Sequence, residues 1–179
     1  MKALVVYESM FGSTHELANA IASGLRETFD VDVVRADQVD AAQVEAADVL
    51  VVGAPTHAHT LPTEASRHDA ATMTSDADGE LQVEEPAMTE GLRDWFDSLE
   101  SVTKPFAAFD TRSDMPRILT GASSKRIERE LRKKGAVPVV PPESFLVTRF
   151  AGLKDGEAER GQAWGEQVAL AASNAGTRR

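Results

Sequence analysis

The length, charge and composition of the chain exclude several kinds of protein. With 179 residues the chain is long enough to bury the core of one α/β domain, and without cysteine it can form neither disulfides nor thiolate-based catalytic or metal sites. Its net charge of −10 disfavours a nucleic-acid partner, and the lack of an apolar run as long as a membrane span predicts a cytoplasmic protein with no membrane partner.

The sequence predicts strands and helices that alternate along the chain. Short apolar runs indicate strands at residues 3–6, 31–34, 49–53 and 105–109, and a fifth strand at 137–140 and 145–148 with two prolines between its halves. Apolar residues at helical spacing indicate a first helix that begins near Ser13, and further helices at 39–47, 89–99, 123–134 and 156–172. This order predicts one doubly wound α/β domain over residues 1–172, with a parallel sheet and right-handed crossovers, followed by a frayed tail at 173–179.

The loop between the first strand and the first helix is rich in hydroxyl groups. Ser9, Ser13 and Thr14 can donate hydrogen bonds to an anion at the positive end of the helix dipole, and Gly12 lets the backbone approach that anion closely. The loop matches neither GxxxxGK[ST] nor GxGxxG, which leaves a single phosphate monoester as the expected ligand. Ser13 and Glu16 also fit a capping box, so a capped helix without any ligand is the alternative interpretation.

The loops at the carboxyl ends of three predicted strands resemble those of flavodoxins. Ser9-Met-Phe-Gly-Ser-Thr14 is similar to the family's phosphate loop, (S/T)-x-T-G-x-T, with Phe11 in place of the middle threonine. Gly53-Ala-Pro-Thr56 resembles the start of the second flavin loop, and residues 121–136 resemble the family's fourth helix and its exit. The resemblance implies a flavodoxin-like sheet of five strands in the order 2-1-3-4-5, with flavin mononucleotide (FMN) as the cofactor.

The resemblance also implies which residues contact FMN. They lie in the loops that follow the first, third and fourth strands: Ser9, Met10, Phe11, Gly12, Ser13, Thr14, Pro55, Thr56, His57, Ala58, His59, Asp110, Thr111 and Arg112.

Two departures from the flavodoxin pattern change the expected contacts of the flavin ring. The second and third loops lack the tryptophan or tyrosine that usually stacks on the ring, so the ring is expected to meet Met10, His57 or His59 on one side and residues 110–112 on the other. The third loop reads Asp-Thr-Arg-Ser-Asp rather than G-D-x-x-x-Y. Arg112 is therefore expected to face the N1/O2 edge of the flavin and to raise the two-electron reduction potential of the flavin.

Residues 60–88 form a long acidic segment between the third strand and the next helix. Their few large apolar residues have no helical or strand period, which predicts a mobile flap over the flavin rather than a second domain. A mobile connection with no part in the chemistry is the alternative.

Other candidate sites are weaker. His57 and His59, with His68 and Asp69 nearby, could bind a metal, but the H-x-H-x-D-H run of binuclear hydrolases is absent and hydrogen bonding or stacking at a ligand is preferred. His15 is expected to be an exposed surface residue.

The sequence contains no signature of a serine hydrolase. No G-x-S-x-G elbow follows a strand, and no catalytic residue is assigned. The basic helix at 123–134 is interpreted as a solvated face, with a docking surface for an acidic partner as the alternative.

The function expected from these features is electron transfer. A flavodoxin-like, FMN-binding oxidoreductase would carry electrons between a reductase and an acceptor, which is either a redox partner protein or a small molecule. One alternative is an FMN-dependent quinone-type reductase that uses NAD(P)H directly. The other is a flavin-free flavodoxin-like domain with a binding or regulatory role, which the missing aromatic residues and Phe11 favour.

Overall fold

A computed structural model of the chain describes residues 1–56, 61–62, 91–115, 120–148 and 152–176. In this part of the chain, strands join one parallel sheet in the order β2-β1-β3-β4-β5, and β6 also pairs with β4. The strands are β1 (Lys2–Tyr7), β2 (Asp30–Arg35), β3 (Val49–Pro55), β4 (Pro105–Ser113), β5 (Val137–Pro138) and β6 (Glu143–Val147). The sheet confirms the predicted fold class and strand order.

The fifth predicted strand consists of two short strands. β5 and β6 both pair with β4 in parallel, and Pro141 and Pro142 lie between them. Proline has no backbone N–H to donate to a neighbouring strand, which explains why the pairing stops there and resumes at Glu143.

The helices follow the predicted order but differ at their ends. They are α1 (Ser13–Leu25), α2 (Ala41–Ala46), α3 (Leu92–Ser98), α4 (Ser123–Lys133) and α5 (Glu157–Gly176), with a 3₁₀ turn at Ala36–Gln38. The prediction that the last helix ends at residue 172 is wrong, because α5 continues to Gly176, and Ser173 Oγ donates a hydrogen bond to Ala169 O (2.9 Å) one turn earlier. Residues 177–179 of the predicted tail lie outside the described residues.

The sheet buries apolar side chains on both faces. α1 and α5 cover one face, where Trp164 meets Phe109 and Phe145 edge-on at ring-centroid distances of 6.2 and 6.0 Å. α2, α3 and α4 cover the other face, which contains Trp95. Both tryptophans are 6% exposed, as expected for core residues. No described helix has both the length and the apolar character that a bilayer span requires.

The contact between α1 and α5 brings the two helix backbones very close together. A Cβ added at Gly24 would lie 2.0 Å from Gln162 O, and one added at Gly165 would lie 2.3 Å from Ile21 O. Only glycine fits at these two positions, so α5 is held against α1 at backbone distance. This contact fixes α5 against the C-terminal half of α1.

Candidate functional site

The candidate site lies at the carboxyl edge of the sheet, where β1, β3 and β4 end. β1 is flanked by β2 on one side and by β3 on the other, so the chain reverses its direction across the sheet between β1 and β3. Ligands of doubly wound sheets bind in the crevice at such a reversal. The residues after Tyr7, Pro55 and Ser113 therefore border the expected binding crevice.

The loop after β1 leads into α1 through a left-handed glycine. Gly12 is the N-cap residue of α1 with φ 88°, and its N–H donates to Ser9 Oγ at 3.1 Å. The first helical hydrogen bond at this end runs from Glu16 N to Gly12 O (2.9 Å), so the amides of Ser13 and Thr14 precede it and have no helical acceptor. These two amides point out of the helix N-terminus, where the dipole favours an anion.

The predicted capping box of Ser13 and Glu16 is wrong. The helix begins at Ser13, one residue earlier than a Ser13 cap requires, and no side chain caps it by a hydrogen bond. Instead, Ser13 Oγ accepts a hydrogen bond from Gly152 N at 2.8 Å. The turn between β6 and α5 is thus a further contributor to this edge, which the sequence analysis missed.

Two threonine contacts join the three strand ends. Thr14 Oγ1 and Thr111 Oγ1 lie 2.8 Å apart and are buried, which joins α1 to the end of β4. Thr56 N donates to Thr111 O at 2.7 Å, which joins the loop after β3 to the same strand. The structure therefore brings together Thr14, Thr56 and Thr111, three of the residues predicted to contact the ligand.

The loop after β3 is fixed at its start by α4. Ser123 N donates to Thr56 Oγ1 (2.9 Å), and Ser123 Oγ donates to Pro55 O (3.1 Å). Pro55 and Thr56 are half-buried. His57, Ala58 and His59 lie outside the described residues, so their predicted contacts with the flavin ring stay predictions.

Two buried carboxylates at strand ends hold helix N-termini. Asp110 lies inside β4, which continues to Ser113 and not only to the predicted residue 109, and it is fully buried. Its Oδ2 accepts a hydrogen bond from Ser124 N at 2.8 Å. Glu8, after β1, is 7% exposed, and its Oε2 accepts one from Leu92 N at 3.0 Å. The carboxylate of Asp110 therefore positions α4, a role that the sequence analysis did not assign. Its predicted contact with the flavin remains a prediction.

Arg112 contacts its own turn. Its guanidinium Nη1 donates to Met115 O at 2.8 Å and to Ser113 O at 3.3 Å. The contact of Arg112 with the N1/O2 edge of a flavin stays a prediction. For that contact, the guanidinium would have to leave these two carbonyls or donate to the flavin as well as to them.

Met10, Phe11 and His15 are shielded from solvent. Met10 is 3% exposed and Phe11 is half-buried. The expectation that His15 is an exposed surface residue is wrong, because its ring stacks on Tyr7 with a centroid distance of 4.8 Å and an interplanar angle of 7°. His15 therefore packs the first turn of α1 against the end of β1.

The acidic segment between β3 and α3 is anchored at its first residues. Leu61 is 1% exposed and belongs to the core, and Arg93 donates from Nε to Pro62 O and from Nη2 to Leu61 O, both at 2.9 Å. Residues 63–90 lie outside the described residues, and the flap stays a prediction.

The first turn of α1 fits a phosphate monoester. Ser9 and Ser13 are 6% and 9% exposed, so their hydroxyls and the amides of Ser13 and Thr14 lie in a largely dry environment, where hydrogen bonds to a charged group are strong. No described atom lies within 4 Å of the position that a Cβ on Gly12 would occupy, which leaves open space beside these donors. These hydrogen-bond donors are uncharged and few in number, as expected for a site that binds one phosphate group.

Comparisons with known proteins agree with this geometry. Flavodoxin 1 from Bacillus cereus is 22% identical with a TM-score of 0.64, over 95% of this chain and 98% of that one. A flavodoxin from the domain Archaea is 19% identical with a TM-score of 0.63, over 97% and 99%. The rubredoxin oxygen:oxidoreductase from Desulfovibrio gigas is 16% identical with a TM-score of 0.61, over 97% of this chain and 36% of that one. These likenesses show a shared fold.

The sequence comparisons identify the family. No curated protein matches the chain in a sequence search. The model of the flavodoxin family matches residues 5–112, which is more than half of the chain and includes the loops after β1 and β3 and nearly all of β4. The chain therefore belongs to the flavodoxin family, whose members are in general electron-transfer flavoproteins that bind a flavin, usually FMN.

Proposed function

We propose that this chain binds FMN at the carboxyl edge of its sheet and carries electrons between a reductase and an acceptor. The observation that supports this most directly is the first turn of α1, where the amides of Ser13 and Thr14 and the hydroxyls of Ser9 and Ser13 surround open space beside Gly12. Bound FMN would supply the redox chemistry by accepting and releasing electrons in its ring system.

The residues of the chain would bind and orient the cofactor. The first turn of α1 would hold the phosphate, with Gly12 giving the backbone its close approach. The contacts Thr14–Thr111 and Thr56–Thr111 would keep the loops after β1, β3 and β4 at a fixed spacing. Asp110 and Ser123 would hold α4 against two of those loops. The proposed ring contacts are Met10, His57 or His59 and residues 110–112.

Binding is tested first, by titrating the purified chain with FMN and recording its absorbance spectrum. We expect a two-band yellow spectrum and quenched flavin fluorescence. Ser9→Ala should weaken FMN binding about fivefold, because the Gly12 amide loses the acceptor that shapes the loop. Ser23→Ala is the matched control, since Ser23 is exposed in the last turns of the same helix and donates only to Asn19 O. A chain that stays colourless with excess FMN is a flavin-free domain, and the proposal is then wrong.

Electron transfer is tested on the FMN-loaded chain. We expect the dithionite-reduced protein to transfer its electrons to cytochrome c in a single turnover. We expect NAD(P)H to reduce the flavin only when a separate reductase is added. Rapid and repeated NAD(P)H oxidation with benzoquinone, without any second protein, would instead identify a quinone-type reductase and contradict the carrier role.

A further inference from the structure

We propose that Gly152, between β6 and α5, is part of the phosphate site, and that its N–H positions the Ser13 hydroxyl so that the Ser13 proton is directed at the ligand phosphate. This inference rests on the proposed function, because it concerns the same site. It adds Gly152 as a positioning residue and makes the site selective for phosphorylated flavin.

The contact between Gly152 and Ser13 leaves the Ser13 proton available. Gly152 N lies 2.8 Å from Ser13 Oγ, although the two residues are 139 positions apart in the sequence. A hydroxyl has one proton and two lone pairs, and here the amide occupies a lone pair. No acceptor for the Ser13 proton is present among the described residues. A hydroxyl that already accepts a hydrogen bond is a better donor, because neighbouring hydrogen bonds polarise one another.

The turn that carries Gly152 is held by its own backbone. Thr148 N donates to Gly152 O (3.1 Å), Lys154 N donates to Leu146 O (3.0 Å), and Val147 forms an antiparallel bridge with Leu153. Gly152 has φ 106°, a conformation that residues with a side chain rarely adopt. The Gly152 amide therefore has a defined direction, which is what a positioning role requires.

Charged side chains fix the turn to β6, to α5 and to the loop after β4. Glu157 Oε2 accepts a hydrogen bond from Leu146 N (2.7 Å), and Arg160 bonds Glu157 (2.6 Å) and Glu143 (2.8 Å). Lys154 forms an ion pair with Asp114 at 2.5 Å, and this hydrogen bond lowers the pKa of the Asp114 carboxyl. The turn is thus connected to two of the segments that border the crevice.

The consequence is a donor aimed at the phosphate and not at the ring. Ser13 is 9% exposed and is the first residue of α1, beside the Thr14 amide, which has no acceptor within the helix. Its proton would be donated to a phosphate oxygen of FMN, and it would lose that acceptor when riboflavin, which lacks the phosphate, is bound. The Gly152–Ser13 contact should therefore affect the preference for FMN over riboflavin.

The experiment measures dissociation constants of FMN and riboflavin by flavin fluorescence quenching. The variants are Gly152→Ala, Ser13→Ala and the double variant. The matched control is Gly156→Ala, because Gly156 lies in the same connection, also has a positive φ of 82°, and also has no described atom within 4 Å of an added Cβ. It shares the backbone strain of Gly152→Ala but has no contact with Ser13.

We expect Gly152→Ala and Ser13→Ala each to reduce the FMN-over-riboflavin preference about tenfold, with no further loss in the double variant, while Gly156→Ala keeps the wild-type preference. A wild-type preference in Gly152→Ala, or additive losses, would overturn the inference and leave the proposed function standing. A wild-type chain that binds neither flavin would instead overturn the proposed function, and the inference with it.

A second measurement covers the case in which Gly152→Ala does not fold. The amide resonance of Gly152 in the wild-type chain is then followed by NMR during titration with FMN and with riboflavin. A shift caused by FMN and not by riboflavin supports the inference, and an equal response to both contradicts it.

Discussion

The two ends of α1 use glycine for opposite reasons. At the C-terminal end, Gly24 has helical backbone angles, and a Cβ there would lie 2.0 Å from Gln162 O of α5. At the N-terminal end, Gly12 has φ 88° and open space around the position of a Cβ. The first glycine is required by its neighbours, and the second by its own backbone conformation. One end of the helix is therefore closed by packing, and the other is left open for a ligand.

This difference separates residues that hold the fold from residues that shape the site. The closed end consists of backbone and apolar contacts that need no ligand. At the open end, the amides of Ser13 and Thr14 lack helical acceptors, and the neighbouring polar groups bond one another across distant loops. Substitutions at the closed end should change stability, whereas those at the open end should change ligand binding more than stability.

The largest effect is expected for Gly24→Ala. The added Cβ would overlap a backbone oxygen that cannot move without shifting α5, so we expect a loss at the upper end of the usual range for overpacking, about 3 kcal/mol. This loss outweighs the gain of about 1 kcal/mol from the better helix propensity of alanine. Urea unfolding followed by circular dichroism measures it. Ser23→Ala, one residue earlier and exposed, should change the free energy of unfolding little. An unchanged stability of Gly24→Ala would mean that the two helices are farther apart than described.

A smaller loss is expected for Gly12→Ala. No described neighbour obstructs the added Cβ, so the cost is the left-handed backbone alone, about 1–2 kcal/mol. Gly12→Asn should recover part of this cost, since asparagine tolerates positive φ better than alanine does. Thermal unfolding of the two variants without flavin tests the ranking. If both are as unstable as Gly24→Ala, packing rather than conformation requires glycine at this position.

Most of the fold could be predicted from the sequence because it depends on local patterns, whereas the glycine contact between α1 and α5 was not predicted. The uninterrupted apolar run at residues 49–53 is typical of a strand buried on both faces, and it became β3 in the centre of the sheet. The proline pair 141–142 marked the break between β5 and β6. Apolar residues at helical spacing located α1 and α4, although α5 continued to Gly176, beyond its predicted limit.

Much of the open end could not be predicted, because it depends on which loops meet in space. Ser13 fits a helix cap by its sequence, yet its hydroxyl bonds Gly152, 139 residues away. Asp110 holds the N-terminus of α4, a role that its local sequence did not indicate, and its contact with the flavin is still a prediction. A local sequence pattern indicates which hydrogen bonds a side chain can form, and only the tertiary arrangement decides which of them it forms. The one available signal for Gly152 was its place after the last strand, since every loop at the carboxyl edge of a parallel sheet is near the others.

The smallest change in stability is expected for the charged groups at the start of α5. These groups hold the open end of α1 by contacts that depend on pH, whereas backbone and apolar contacts hold the closed end. Partial burial raises the pKa of Glu157, but the hydrogen bonds from Arg160 and from Leu146 N outweigh it, so the pKa lies below its ordinary value of 4.5. A carboxyl that is more acidic in the folded chain contributes fully above that ordinary value and loses its contribution as the pH falls through the folded pKa. Glu157→Gln should therefore cost about 1 kcal/mol or less near neutral pH, and the cost should shrink in acid until wild type and variant unfold alike. Urea unfolding across this pH range measures the convergence, with the exposed Glu159→Gln as control. A cost that stays constant in acid would show that the side chain acts by packing, and both ends of α1 would then be held by contacts that do not titrate.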